Sequence, residues 1–281
     1  QGEDKENNRT YVNEDEKDDG KIIINGDKDT PTSNTVTVQE DVKKTNKDDG
    51  SEGRDVDIVI DGVKADTSET GKSTVTVGEG ADVDLTVKDS TLTTGGNGID
   101  IGKDLDGTDE NKDTKVDLTL EDTTINQTNK NSAGLDVRQG SDVDLTLKGD
   151  NTIDGSQATG DKNVSDNTNV EGIRVGGEVA SDSSDAEKDA HLTIKGDTSS
   201  KEEAAAEDTT EGSETSGDTT ENDKTSGGSL TIKDTTTGMV IAGGSKEKDS
   251  SVTITDGADV TIQDTHVSGS TQSGSGVIQH G

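Results

Sequence analysis

The sequence has no cysteine, no tryptophan and no phenylalanine, and its 281 residues include one tyrosine, one proline and one methionine. The lack of cysteine excludes a disulfide-stapled scaffold, and the lack of any long apolar run excludes insertion into a membrane. Hydrophobic residues make up 22% of the chain, which excludes an ordinary globular enzyme with an aromatic-rich core. A composition this polar is also typical of disordered chains.

Basic residues are scarce: the chain has 27 Lys and Arg and 62 Asp and Glu, which gives a formal net charge of −35. Phosphate backbones are bound through Lys and Arg, so we expect no nucleic-acid partner. Metal cations and cationic surfaces are the natural partners of such a chain. A protein without cysteine suits an oxidising exterior in which no disulfides are used, and a reduced cytoplasm is also allowed.

Short runs in which apolar and polar residues alternate recur along the chain and argue against disorder. The first family comprises residues 56–60, 83–87, 116–120, 143–147, 191–194, 229–232 and 260–262. Members of a second family begin at Gly98, Gly134, Gly172, Gly238 and Gly276. A third family comprises residues 35–38, 74–77 and 251–254. The second-family glycines are separated by 36, 38, 66 and 38 residues, and we interpret the separation of 66 as close to two repeats.

Repeats of this period indicate a solenoid, in which each unit buries its apolar face by stacking on its neighbours. The strands lack helical periodicity, which excludes arrays of helical repeats. Strands of four to five residues between Gly, Asn, Asp and Ser turns predict an all-β parallel β-helix (β-solenoid) with about three short strands per coil. Ladders of Val, Ile and Leu can fill so narrow a core without aromatic residues.

Alignment of the first family predicts two inward ladders and one outward column. The first inward ladder is Leu85, Leu118, Leu145, Leu192, Leu230 and Val260. The second is Val87, Leu120, Leu147, Ile194, Ile232 and Ile262. The outward column is Lys88, Glu121, Lys148, Lys195, Lys233 and Gln263, in which the glutamate pairs with neighbouring lysines.

Residues 20–281 are predicted to form a single β-helix, and two regions break its pattern. Residues 1–19 are charged and lack alternation, which predicts a flexible acidic leader. Residues 198–227 are rich in Thr, Ser, Glu and Gly and predict a disordered acidic insertion. Residues 276–281 form a partial repeat without a polar cap, which suggests either truncation or end-to-end stacking of subunits.

Outward-facing aspartates are the candidate metal ligands. Asp57, Asp84, Asp117 and Asp144 align on successive coils, with Asp55, Asp82 and Asp142 two positions earlier, while Asp100 and Asp136 match each other in the second family. Stacked like charges repel unless cations lie between them, and hard oxygen ligands suit calcium. We therefore predict calcium ligands among Asp82, Asp84, Asp100, Asp117, Asp136, Asp142 and Asp144. The alternatives are a solvated acidic face and, because Arg174 follows Asp136 in the alignment, an ionic ladder.

Other candidate sites are weaker. The acidic segment 104–111 lacks the spacing and terminal Glu of a helix-loop-helix calcium site and is interpreted as an exposed turn. The three histidines have no metal-ligand spacing and no nucleophile-elbow motif is present, so we expect no enzymatic activity. Asn8, Asn126 and Asn163 begin formal glycosylation sequons, which chance explains about as well as function.

Two repeats carry a family resemblance: Gly80-Ala-Asp-Val-Asp-Leu-Thr-Val-Lys-Asp-Ser-Thr-Leu and Gly257-Ala-Asp-Val-Thr-Ile-Gln-Asp. Followed by Gly-Ile-Asp-Ile or Gly-Val-Ile, they resemble the right-handed parallel β-helix repeats of bacterial cell-surface adhesins and of pectate-lyase-like carbohydrate-binding proteins. The resemblance covers about residues 20–281 and lies in patterning and turn residues. It implies an extracellular stalk, adhesin or polysaccharide-binding module, and it carries over no catalytic residue.

Two functions follow as expectations, and a polysaccharide lyase, detectable by the absorbance of unsaturated products, is a minor third alternative. The first is a non-enzymatic extracellular or cell-surface β-helix that is structural or adhesive, self-associates and stacks end to end into a filament. The second is a calcium-dependent polysaccharide-binding module. Chelator-sensitive binding to acidic glycans distinguishes the second function from the first.

Overall fold

The computed structural model describes residues 2–4, 9–12, 21–43, 56–108, 112–160, 168–176, 188–197, 227–242, 249–266 and 275–280. These residues form 22 strands and one short helix. Within these same ranges, no helix combines the length and the apolar character needed to cross a membrane.

The strands follow one another closely along the chain. The first eight are β1 (Gly2–Asp4), β2 (Arg9–Val12), β3 (Lys21–Asn25), β4 (Thr35–Val38), β5 (Asp57–Asp61), β6 (Lys64–Asp66), β7 (Val75–Gly78) and β8 (Asp82–Lys88). The next seven are β9 (Thr91–Thr94), β10 (Ile99–Lys103), β11 (Thr114–Glu121), β12 (Thr124–Gln127), β13 (Asn131–Val137), β14 (Ser141–Lys148) and β15 (Asp150–Asp154), followed by the helix α1 (Ser156–Thr159). The last seven are β16 (Asn169–Val175), β17 (His191–Gly196), β18 (Ser229–Lys233), β19 (Thr237–Ala242), β20 (Ser251–Thr255), β21 (Asp259–Gln263) and β22 (Ser275–His280).

From β4 onward, every third strand belongs to the same sheet. The first sheet has the order β1-β2-β4-β7-β10-β13-β16-β19-β22, the second β20-β17-β14-β11-β8-β5-β3, and the third β21-β18-β15-β12-β9-β6. All of these pairings are parallel except that of β1 with β2. The chain therefore winds as a β-solenoid with three strands per coil, which confirms the predicted fold class.

The core consists of apolar ladders that run across the coils. Leu85, Leu118 and Leu145 pair in register on β8, β11 and β14, and each is at most 1% exposed. The alternating sequence explains this arrangement, since successive side chains of a strand point to opposite faces. Burial of one such leucine contributes about 1.5–3 kcal/mol. For these three strands, the predicted ladders are confirmed.

Beyond β14, the predicted ladders are wrong in register and in sheet. On β17, Leu192 pairs with Val143 and Ile194 pairs with Leu145, two positions away from the predicted alignment. The strands β18 and β21, with Leu230, Ile232, Val260 and Ile262, lie in the third sheet and not in the second. An alternation of period two directs a side chain inward in any sheet, so it does not encode which sheet a strand joins.

The glycine-led family is confirmed as one set of neighbours, because β10, β13, β16, β19 and β22 adjoin one another in the first sheet. The separation of 66 residues between Gly172 and Gly238 spans one coil, since β16 pairs directly with β19. The interpretation of that separation as two repeats is therefore wrong. The extra length falls between β16, β17 and β18, largely outside the described residues, and the pairing of β16 with β19 is intact. The predicted insertion 198–227 lies outside the described residues except for Gly227.

The segment predicted as a flexible leader contributes two strands to the first sheet. Arg9 to Val12, which form β2, pair in parallel with β4, and β1 folds back antiparallel to β2. Its remaining residues, 1, 5–8 and 13–19, lie outside the described part of the chain.

Aspartates turn the chain at the corners between sheets. Among the described residues, every non-glycine residue with positive φ is an aspartate: Asp41, Asp89, Asp122, Asp234, Asp256 and Asp264. Asp tolerates this left-handed conformation better than most residues because its short side chain bonds to nearby backbone. Part of the acidic composition therefore serves the turns of the solenoid.

Candidate functional site

The predicted column of outward-facing aspartates forms on the second sheet. Asp57, Asp84, Asp117 and Asp144 pair in register on β5, β8, β11 and β14. Lysines lie at both ends of this column: Lys21 Nζ is 3.6 Å from Asp57 Oδ2, and Lys195 Nζ is 2.6 Å from Asp144 Oδ2. The column is therefore partly neutralised by the protein itself, and its predicted calcium binding stays a prediction.

The second predicted column is interrupted by a cation. Lys115 on β11 lies between Asp82 on β8 and Asp142 on β14, and His191 on β17 continues the row. The alignment predicted carboxylates on successive coils in this column. Asp82 and Asp142 are instead two coils apart, because the intervening coil has Lys115 at that position. Asp55 lies outside the described residues.

A groove of about 780 Å³ runs along this row, at the corner where the first sheet leads into the second. Its charged lining residues include Lys43, Asp82, Lys115, Asp142 and Lys188. The groove therefore presents both signs of charge within one concave surface, which suits a polar ligand.

Asp100 and Asp136 form part of an ion-pair ladder on the first sheet. They pair in register with each other, and Arg174 continues the row. Arg138 reaches Asp100 with Nε at 2.6 Å from Oδ1 and Nη2 at 3.0 Å from Oδ2. Arg174 binds Asp136 in the same way, with distances of 3.1 Å and 2.7 Å. Such bidentate pairs are the strong form of the charged hydrogen bond.

The ladder is well shielded from water. Asp100 and Asp136 are each 1% exposed. Burial opposes the charge on Arg138 and Arg174, but the hydrogen bonds and negative charges of the aspartates outweigh burial and raise the pKa of both guanidinium groups. Arginine side chains thus engage both oxygens of each carboxylate. For these two aspartates, the sequence allowed either a metal site or an ionic ladder. The geometry corresponds to the ionic ladder.

A different acidic cluster forms at the turns that follow the first sheet. Glu40, Glu79 and Asp104 come within two positions of the ends of β4, β7 and β10, on three successive coils. Backbone hydrogen bonds align these turns: Asp41 N donates to Glu79 O at 3.1 Å, and Glu79 N donates to Lys103 O at 2.9 Å. Carboxylate oxygens of Glu40, Asp104 and Asp106 lie within 4.8 Å of one another.

Glu40 fastens the loop that carries the two aspartates. Its Oε1 accepts hydrogen bonds from the backbone N–H groups of Leu105 and Asp106. Within the loop, Asp104 Oδ1 accepts from Gly107 N at 2.6 Å, and Asp106 Oδ1 accepts from Thr108 N at 2.9 Å. The loop therefore has a defined shape in which its carboxylates gather beside Glu40.

Glu79 is the buried member of this region, at 4% exposure. Its Oε2 accepts a hydrogen bond from Lys112 N at 3.3 Å, whereas its buried Oε1 has no hydrogen-bond partner. Burial raises the pKa of Glu79, and the negative charges of Asp104 and Glu40 act in the same direction.

Lys112 is a protein cation that reaches the carboxylates of this region. Its Nζ lies 2.9 Å from Asp41 Oδ2 and 3.6 Å from Glu40 Oε2. The hydrogen bond from Lys112 holds the pKa of Asp41 below its usual value.

Sequence reasoning missed Glu40 and Glu79, and it interpreted the segment 104–111 as an exposed turn. The signal was present in the alignment, because each of these acidic residues comes two or three positions after the last Val or Ile of a first-sheet strand. The missing step was to align the corners as well as the strands. Of the three sequons, Asn126 lies within β12, paired with Thr93 and Asp154, and Asn8 and Asn163 lie outside the described residues.

Comparisons of the chain with protein-family models, with curated proteins and with solved structures found no match. The assignment of the fold therefore depends on the strand topology of the chain itself.

Proposed function

We propose that the chain is a non-enzymatic structural or adhesive β-solenoid that works outside the cell, at the cell surface. The supporting observation is that all three sheets continue from coil to coil without a break in their order. Nine strands in the first sheet, spaced about 4.8 Å apart, give a rod about 38 Å long. Such a solenoid holds its outer residues at fixed distances, as a stalk or adhesive surface requires.

Exposed members of the core ladders support end-to-end assembly. Ile254 on β20 continues the column of Ile194, which is fully buried, yet Ile254 is 49% exposed. Val277 on β22 continues the column of Met239 and is 54% exposed. Each of these side chains continues a buried column, and no further coil covers it among the described residues. A second copy of the chain would cover them and extend the sheets.

The test introduces a charged side chain at Ile254, the exposed end of the Ile194 column. Ile254→Lys introduces an ammonium group where a stacked copy would need an apolar contact, and Thr253→Lys adds the same charge at the adjacent, outward-facing position of β20. We expect the parent chain to form filaments or end-to-end oligomers at high concentration, in electron micrographs and in sedimentation velocity. Ile254→Lys should weaken association at least tenfold, and Thr253→Lys should weaken it far less.

Monodisperse short rods at every concentration would refute self-assembly as the function. Equal effects of the two lysine variants would also refute it, because added charge alone would then explain the change.

The groove favours a second candidate, a calcium-dependent polysaccharide-binding module. Lys43 and Gly80 line it, and they are close in sequence to Asp41 and Glu79 of the acidic region. Retention on an immobilised acidic polysaccharide, measured with calcium and with a chelator, tests this function. Lys115→Gln should reduce retention, and Lys233→Gln, on the third sheet outside the groove, should not.

A further inference from the structure

The groove at the corner between the first and second sheets repeats every second coil. One kind of corner has a glycine and, two positions later, an aspartate: Gly80 with Asp82, and Gly140 with Asp142. The other kind has an aspartate and, two positions later, a basic residue: Asp41 with Lys43, Asp113 with Lys115, and Asp189 with His191. The two kinds alternate along the groove, so the corner has a repeat of about 9.6 Å, the height of two coils.

A single column of charged and basic side chains runs along the groove. It consists of Lys43, Asp82, Lys115, Asp142 and His191, all of which line the groove. The pairing of β8, β11, β14 and β17 fixes its register. Asp82 N donates to Val42 O at 2.8 Å, which places Lys43 beside Asp82. We call this row the groove column, and in it basic and acidic side chains alternate about 4.8 Å apart, one per coil.

The centre of the groove column is free to meet a ligand. Within the described ranges of the chain, the side chains of Asp82, Lys115 and Asp142 form no hydrogen bond and no ion pair. Lys115 and Asp142 are exposed, and Asp82 is partly exposed. Three charges of alternating sign therefore face solvent within one concave surface.

Other lysines neutralise the aspartates that precede the basic members of the groove column. Lys112 Nζ lies 2.9 Å from Asp41 Oδ2, and Lys188 Nζ lies 2.7 Å from Asp113 Oδ1. Each of these pairs bridges over an intervening coil. A Cβ atom at Gly80 would meet Asp41 Oδ1 and would lie 3.1 Å from Lys112 Cδ, so the bridge requires a residue without a side chain. The aspartates of these corners thus already have cationic partners, in contrast to the centre of the groove column.

We propose that the groove binds a linear polysaccharide in which acidic and amino sugars alternate. The inference rests on the second function proposed above, because the ligand is a polysaccharide in the same groove. Carboxylates of such a chain would meet Lys43 and Lys115. Its ammonium groups would meet Asp82 and Asp142, because one sugar residue of an extended chain is about as long as one coil is high. Opposite charges in matching order give the register and the specificity of such a contact.

The charge of the whole protein argues against a ligand of one sign. A net charge of −35 opposes the approach of a polyanion, and the aspartates of the groove column would face its carboxylates. A polycation would be attracted to the acidic surface as a whole, and the lysines of the groove column would repel it. An alternating chain has little net charge and finds an opposite charge at each coil. Since the protein has no Trp or Phe to stack on sugar rings, charge is its main means of recognition.

The probe is an oligosaccharide of hyaluronan from which the acetyl groups have been removed, so that carboxylates and amino groups alternate along one backbone. It is titrated calorimetrically into the protein in the presence of a chelator, at low ionic strength and at a mildly acidic pH that keeps the amino groups protonated. We expect binding in the chelator, because the groove column itself supplies the cations. Untreated hyaluronan, whose amides carry no charge, should bind at least about threefold more weakly.

Removal of either sign of charge should weaken binding of this probe. Lys115→Gln and Asp142→Asn should each weaken it about threefold to fivefold, the effect of one exposed ion pair. The matched controls are Lys233→Gln and Asp259→Asn on the third sheet, outside the groove, and each should change binding less than about 1.5-fold. Circular dichroism compares the folds of the variants.

The direction of the two effects decides between ligands. Stronger binding after Asp142→Asn would mean that the groove selects negative charge alone, and stronger binding after Lys115→Gln would mean that the acidic surface attracts any cation. Either result would overturn the inference. Binding of the probe only with calcium would also overturn it, and so would retention on an acidic polysaccharide in calcium without binding of the probe, although both would support the calcium-dependent function. Absence of retention and of binding would overturn both proposals.

Discussion

Loss of the charge on Asp136 should destabilise the chain strongly. Arg174 directs Nε at Oδ1 and Nη2 at Oδ2 of Asp136. In Asp136→Asn, one of these donors faces an amide NH₂ group, and the guanidinium loses one of its two partner charges in a buried setting, keeping Glu171 Oε2 at 3.3 Å from Nη1. Removal of one partner from a buried ion pair costs about 3–5 kcal/mol.

We expect a cost of about 3 kcal/mol, the lower end of that range, because the side chains of Arg138 and Arg174 retain 36% and 17% exposure. Asp144→Asn is the matched control, on β14, which follows β13 in the sequence. Its partner Lys195 is 34% exposed and Asp144 is 40% exposed, so the cost should be about 0–1 kcal/mol.

The free energy of unfolding is measured by urea titration followed by circular dichroism, because the chain has no tryptophan. A double-mutant cycle with Arg174→Gln isolates the pairwise contribution, and the double variant should cost less than the sum of the two single variants. Equal costs for Asp136→Asn and Asp144→Asn would refute the argument that burial makes the ladder strong.

Two further predictions concern the core and the pH dependence of stability. Leu145→Ala opens a cavity in a fully buried ladder and should lower the free energy of unfolding, measured by urea titration, by about 2–5 kcal/mol. Thr146→Ala, outward on the same strand, should change it by about 0.5 kcal/mol or less. Similar costs for the two variants would contradict the inward assignment of Leu145. Burial opposes the charge on Asp154, but hydrogen bonds from Ser156 and the ion pair with Lys233 outweigh it and lower the pKa of Asp154 below the ordinary 3.8. The stability that Asp154 contributes is therefore present above that ordinary pKa and lost as pH falls through the lower folded value, so thermal unfolding of Asp154→Asn should depend less on pH in that window than the parent does.

Local chemistry alone determined the strands of this protein. Alternation at 83–87, 116–120 and 143–147 predicted β8, β11 and β14 and their shared ladder, and the glycine-led runs predicted the neighbours in the first sheet. These predictions succeed because the side-chain period of a strand is a local property of the backbone. The outward aspartate column of the second sheet follows from the same period.

Tertiary structure decided which strands and corners meet. Ile194 pairs with Leu145 and Ile232 lies in the third sheet, although both belong to the same alternating pattern. Likewise, Arg138 reaches Asp100 from the adjacent coil, and Glu40 meets Asp104 only because three coils stack. Neighbours in a solenoid are one coil apart in sequence, and the length of that coil varies with its loops. The pleat therefore fixes the direction of each side chain, and the winding of the coils fixes its neighbours.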